Sequence, residues 1–216
     1  WSSGRPRSRK FRFAGLAAIL QQDQRLRRAI VRMIARFRAQ TGMNFSDEQG
    51  LTDQLYIHLA QALDRSLFDI GIDNSLPEEI HRLYPRLLRT TKEALFELEA
   101  EFGLRFSGEE MALVAVIFGA WLMQETDLHE KQVVLLTGED KACEELIEQL
   151  RELTLLPLNI RYLSLEAFKK EGAPREAALV ITPYPTALPL FSPPLIHAVE
   201  TLNTQQQEHI RVMLES

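Results

Sequence analysis

Apolar residues recur at helical spacing through the first part of the chain. From about Gly15 to Gln40, Leu26, Ile30, Met33, Ile34 and Phe37 fall on one side of a helix and the arginines on the other. Thr41-Gly42 ends it, and Asn44-Phe45-Ser46-Asp47-Glu48 offers N-cap residues for a second helix running to about Ile70. Along that helix Leu51, Leu55, His58, Ala62 and Arg65 share one stripe. Gly71 to Ser75 is a turn-rich connector. Leu76-Pro77-Glu78-Glu79 then opens a third helical segment, with proline and two acids where a first turn favours them. It extends to about Glu101, and Pro85 is expected to kink or divide it. Gly103 closes it. Ser107-Gly108-Glu109-Glu110 has the spacing of a capping box. The helix after it, Met111 to Glu125, is apolar nearly all round and is expected at the centre of a bundle.

After Leu128 the pattern changes. Gln132 to Leu136, Leu158 to Leu163 and Ala177 to Ile181 are short apolar runs of strand length. A helix from Glu139 to Leu153 and a helical turn from Leu165 to Lys170 separate them. Strand, helix, strand, helix, strand implies right-handed crossovers and a parallel sheet. Pro183 to Pro194 holds five prolines and is expected to be irregular, before a last helix from about Thr204 to Glu215. The fold class is therefore multi-domain, α followed by α/β. Residues 1–20 read as a basic linker or the end of an upstream domain, flexible over 1–13 where Gly4 and Pro6 interrupt local order. Residues 21–128 form a helical bundle and residues 129–216 a small α/β domain with a parallel sheet.

Composition narrows the class. With 216 residues, 45% hydrophobic and 25% charged, the chain has the make-up of a soluble globular protein. No apolar run is long enough to span a bilayer, and no secretory signal is apparent, so no membrane partner is expected. A single cysteine, Cys143, excludes an internal disulfide and fits a reducing cytoplasm. The chain opens on Trp1 rather than methionine, so it is expected to be part of a longer protein. Charge is uneven: residues 1–40 hold 11 Lys/Arg against one acid, Asp23, a net of +10 that leaves −15 for the rest. A basic arm of this kind contacts nucleic acid, docks on its own acidic body, or docks on a twin. No groove-reading motif accompanies it.

Candidate chemistry centres on His58. A side chain that titrates near neutrality sits beside apolar neighbours, with Arg65 two turns away. It is either a phosphoryl acceptor whose new charge the arginine reads, or a histidine packed at the edge of a core. The five histidines (His58, His81, His129, His197, His209) lack metal-ligand spacing, and nothing implies a cofactor. Thr137-Gly138-Glu139-Asp140-Lys141, after the first strand, carries two acids where a phosphate cradle needs bare N–H groups, and reads as structural. Cys143 reads as a packing residue rather than a reactive thiol.

The helical part resembles the PTS regulation domain, the phosphorylation-controlled module of bacterial antiterminators and sugar-operon activators. The resemblance runs through His58-Leu59 with Ala62-Leu63-Asp64-Arg65, through Leu83-Tyr84-Pro85, and through the helix beginning Glu109-Glu110-Met111. The α/β part is similar to the enzyme IIB domains of sugar phosphotransferase systems. Further strings, among them Gly119-Ala120-Trp121-Leu122-Met123-Gln124-Glu125 and Leu153-Thr154-Leu155-Leu156-Pro157-Leu158-Asn159-Ile160, extend the likeness over nearly the whole chain, as the C-terminal portion of a longer regulator-like protein. The resemblance implies two phosphoryl-accepting histidines per helical module, with the phosphocarrier protein HPr or an enzyme IIB as phosphodonor. The first falls on His58, with Arg65 as supporting charge. The second falls on Ile117, which accepts nothing. The IIB cysteine position falls on Thr137, so that site is lost as well. On this resemblance the chain is expected to be a non-enzymatic, phosphotransferase-responsive module of transcription regulation, acting as a homodimer or by docking a partner. The alternative is a degenerate scaffold with no phosphorylation. Nucleic acid is expected only through the basic N-terminal arm or an upstream domain.

Overall fold

The computed structural model describes residues 8–72, 75–125, 131–137, 144–155, 158–185 and 193–215. It divides into two compact units, one formed by residues up to 73 with Thr90–Ile117, the other by residues 74–89 with Phe118–Ser216. That division differs from a single cut at residue 128. The segment around Pro85 and the last turns of the apolar helix group with the sheet.

In the first unit, α1 (Ser8–Thr41) starts well before Gly15, so residues 8–13, expected in a flexible linker, are helical, while residues 1–7 lie outside the described residues. Between Ser8 and Ala14 nothing breaks a helix, and one interior glycine costs only about 1 kcal/mol. Its apolar stripe is fully engaged: Leu26, Ile30, Met33, Ile34 and Phe37 are buried. Gly42, at φ +70°, donates its N–H to the Arg38 carbonyl at 2.8 Å, the left-handed turn that closes a helix end. The α2 helix (Glu48–Leu67) is capped by Asp47, whose carboxylate accepts from the Gly50 N–H at 2.9 Å. Leu51, Leu55 and Leu59 are completely buried, and Phe37 packs on Phe45 with ring centroids 6.0 Å apart.

Pro85 divides rather than kinks its segment. The α3 helix (Leu76–Leu83) ends at Tyr84, and α4 (Pro85–Phe102) begins on the proline, whose missing N–H is harmless at a first helical position. The α5 helix (Gly108–Gln124) corrects one expectation. It buries Ala112, Val114, Ala115, Phe118 and Leu122 but leaves Val116, Ala120 and Met123 exposed along one stripe, so it is not enclosed on every side. Gly119 sits where a Cβ would lie 3.1 Å from Leu87 Cδ2, a close approach of α5 to α4.

The second unit carries a four-stranded, all-parallel sheet in the order β2-β1-β3-β4, with β1 (Lys131–Thr137), β2 (Leu158–Ser164), β3 (Ala177–Thr182) and β4 (Leu195–His197). The three expected strands are present, and β4 is an addition to them. Its three residues come after the prolines and pair with Val180–Thr182. Alternation along the strands splits the core into two layers. On one face Val133, Leu135, Leu179 and Ile181 pack with Leu146 and Leu150 of α6 (Glu144–Glu152) and Ile210 and Leu214 of α8 (Thr204–Glu215). On the other, Val134, Leu136 and Val180 pack with Phe168 of α7 (Leu165–Glu171). The start expected for α6 at Glu139 lies outside the described residues. Arg86 of α4 donates to the Leu153 carbonyl at 2.9 Å, just past the end of α6, where cations are favoured.

Candidate functional site

Glu110 is the hinge of the site. It occupies the first turn of α5, where its backbone N–H donates to Ser107 Oγ at 3.2 Å. Its carboxylate turns away from the cap and meets Arg65, in the last turn of α2, in a two-pronged pair: Nε to Oε1 at 2.6 Å and Nη2 to Oε2 at 3.1 Å. The fork-on-carboxylate geometry is the strong form of an ion pair. It compensates an anion whose side chain is only 8% exposed.

His58 lies two turns before Arg65 on the same face of α2. Its Nε2 is 3.2 Å from Glu110 Oε2, and its side chain is 16% exposed. The approach lacks the alignment of a hydrogen bond, so Nε2 is buried without a hydrogen-bond partner and the pair is an electrostatic contact. Burial holds the imidazole below its ordinary range; Glu110 pulls it up and Arg65 pushes it down, and burial prevails. The ring is therefore predominantly neutral at pH 7. A neutral imidazole with an arginine close by has the two parts phosphoryl acceptance needs, a nucleophilic nitrogen and a fork that fits phosphoryl oxygens.

The expected pair of His58 and Arg65 is thus brought together, with Glu110 between them. Sequence reasoning assigned Glu110 to a helix cap and missed its role at the site. The one signal it left was an acid at the head of an otherwise apolar helix, since its partners lie 45 and more residues away. Ile117 lies further along α5, half-buried. The backbone of Thr137 closes β1 in register with Ser164. Residues 138–143, including most of the loop after β1 and Cys143, lie outside the described residues, as does His129. His81, His197 and His209 are exposed, and among the described residues no cluster of three or more His, Cys, Asp or Glu side chains is placed to hold a metal ion.

The basic stretch of α1 is engaged by its own unit. Arg25 and Arg32 reach Glu101 at 2.7 and 3.4 Å, Arg27 reaches Asp53 at 3.1 Å, Arg36 reaches Glu97 at 2.5 Å, and Arg38 reaches Glu48 at 2.8 Å. The Arg27 guanidinium also covers the Tyr56 ring at 4.1 Å, and the Tyr56 hydroxyl donates to Asp23. Arg25, foremost among the nearby arginines, holds the Glu101 carboxyl below the usual range. These five arginines are all paired with acids of their own unit. Among the described residues no helix is long and apolar enough to cross a membrane.

Known proteins match the chain in two parts. Residues 31–121 match the PRD domain model, and residues 131–214 match the model described as stationary phase-inducible protein CsiE, C-terminal domain. The chain is 64% identical over 197 residues to the stationary phase-inducible protein CsiE of Escherichia coli (strain K12), an alignment covering 91% of this chain and 46% of that protein. It is 28% identical over 124 residues to the transcriptional regulator ManR of Bacillus subtilis (strain 168), covering 54% of this chain and 19% of that one. The chain thus spans less than half the length of either relative.

Proposed function

We propose that this chain, a PRD domain followed by a CsiE-type C-terminal domain, is a non-enzymatic regulatory module of transcription control that reads phosphotransferase state through His58. The observation that carries the reading is the His58–Glu110–Arg65 cluster, a partly buried imidazole beside an arginine fork. A phosphoryl group adds about −2 charge, enough to reorganise a part-buried ion pair and the helix ends that hold it. The output is a changed helix surface, used for self-association or for docking a partner; the α/β domain serves as a docking or structural element. The test is phosphoryl transfer. The chain is incubated with enzyme I, HPr and phosphoenolpyruvate, and an acid-labile mass gain is sought in the native sequence and in His58→Ala. The reading expects a gain that His58→Ala abolishes; no gain in either, with a control module phosphorylated alongside, overturns it.

A second reading, the silent scaffold, has its own support. On the resemblance, the further acceptor positions fall on Ile117 and Thr137, where neither the expected histidine nor the expected cysteine stands, and the remaining histidine faces a carboxylate at 3.2 Å. In that reading both domains persist as binding surfaces without phosphorylation.

A further inference from the structure

The nitrogen of His58 that faces Glu110 is enclosed by the charge a phosphoryl group would least tolerate. We propose that Glu110 is a lock on His58: its carboxylate occupies the space and the arginine that a phosphoryl group on Nε2 would require, so that modification proceeds only by exchanging Arg65 from Glu110 to the phosphoryl oxygens. The inference rests on the reading of His58 as an acceptor and names what restrains it.

Three observations converge on the lock. Oε2 of Glu110 stands 3.2 Å from Nε2, inside the space the phosphoryl oxygens would fill. Both oxygens of the same carboxylate are engaged by Arg65, at 2.6 and 3.1 Å, so the cation suited to a phosphoryl group is already committed. The carboxylate is nearly buried, so water screens its repulsion of a second anion poorly. Arg65 has one fork and two claimants. A phosphoryl group, with more charge and three acceptor oxygens, outcompetes a carboxylate for that fork only when Glu110 withdraws.

The chemistry balances without a further reactant. The Nε2 lone pair attacks the phosphorus of a phosphohistidine on a carrier protein, forming the new P–N bond as the carrier's P–N bond breaks. The carrier ring, protonated on its other nitrogen, keeps the bonding pair and leaves as a neutral imidazole. His58 becomes a phosphoimidazolium that retains its Nδ1 proton.

The test compares the native chain with Glu110→Gln, which keeps the size of the side chain and removes its charge. Each is exposed separately to the phosphorylated carrier and to phosphoramidate, a small N-phosphoryl donor that needs no docking surface, and labelling of His58 is followed by intact mass and peptide mapping. The lock predicts that Glu110→Gln is labelled about tenfold faster by both donors, the scale of one close charge in a part-buried site. If the native chain is labelled and Glu110→Gln no faster, the lock is overturned and the acceptor reading stands. If only Glu110→Gln is labelled, the lock stands and the native chain is held silent. If neither is labelled by either donor, both ideas fall. Arg65→Lys guards against a folding artefact: it keeps the charge but not the fork, and the lock predicts a shorter-lived phosphohistidine in that variant than in Glu110→Gln. An equal lifetime contradicts the exchange.

Discussion

Glu99 and Glu110 are buried carboxylates of the helical unit, whereas the buried polar residues of the α/β unit, among those described, are Thr154 and Thr182. The sheet is sandwiched by Val, Leu, Ile and Phe side chains that need no partners. The helical unit instead holds carboxylates out of water and must satisfy them. Glu99 accepts from the Phe106 N–H at 2.8 Å, which secures the turn before α5. Glu110 goes to Arg65 and His58. Glu99 is answered by a backbone N–H and, at 3.8 Å, by the exposed Arg105 in that same turn, which explains it as structure. Glu110 is answered by two titratable or charged side chains on another helix, an arrangement that apolar residues would replace at little cost if stability alone were at stake.

The contrast is sharpened first by substitutions that act on each kind of core. Phe168→Ala removes the fully buried side chain by which α7 packs on its face of the sheet, beside the partly buried Leu165. It is expected to cost about 4 kcal/mol in chemical denaturation, because so short a helix has little to collapse into the cavity. A loss under about 1 kcal/mol would show that face to be loosely packed. Arg65→Met is expected to cost about 3 kcal/mol by stranding the Glu110 carboxylate. Adding Glu110→Leu should restore much of that loss, whereas an additive double mutant would deny the coupling.

A third prediction concerns pH. Because burial holds the His58 imidazole below its ordinary value, the unfolded chain binds a proton that the native chain refuses. The contribution of neutral His58 is complete above about pH 6.5, the unfolded value, and declines as pH falls through it toward the lower folded value. His58→Gln should therefore flatten the stability profile on the acid side of neutrality. A variant whose melting temperature follows the native profile unchanged through that window would break the link. The smallest effect belongs to the exposed pairs of α1. Arg36→Gln, which removes the contact to Glu97, is expected to cost less than about 1 kcal/mol and to lose even that in high salt.

Much of this architecture was legible in the order of residues because its signals are local. The Leu26–Phe37 stripe, the break at Pro85 and the three apolar strands each arise from periodicity or a missing N–H within a few residues. What escaped was set at a distance. The β4 strand is three residues behind a run of prolines, and it is a strand because β3 offers it an edge. The open stripe of α5 looks like core in sequence, since Val116, Ala120 and Met123 are no more polar than their buried neighbours. The early start of α1 was hidden by Gly15, which interrupts a helix only weakly. At the site, His58 and Arg65 were visible because seven residues put two side chains on one helical face. Glu110 arrives from another helix, and spacing holds no record of that meeting.

The central claim is that His58 stands neutral and restrained between Glu110 and Arg65, and a proton-detected NMR titration of its ring tests that most directly. The account predicts titration below the ordinary imidazole value in the native chain, lower still in Glu110→Gln, and higher in Arg65→Met. Titration at the ordinary value in the native chain would contradict the restraint by burial, and titration well above it would mean a salt-bridged imidazolium at neutral pH with no free lone pair, which contradicts the neutral state as well.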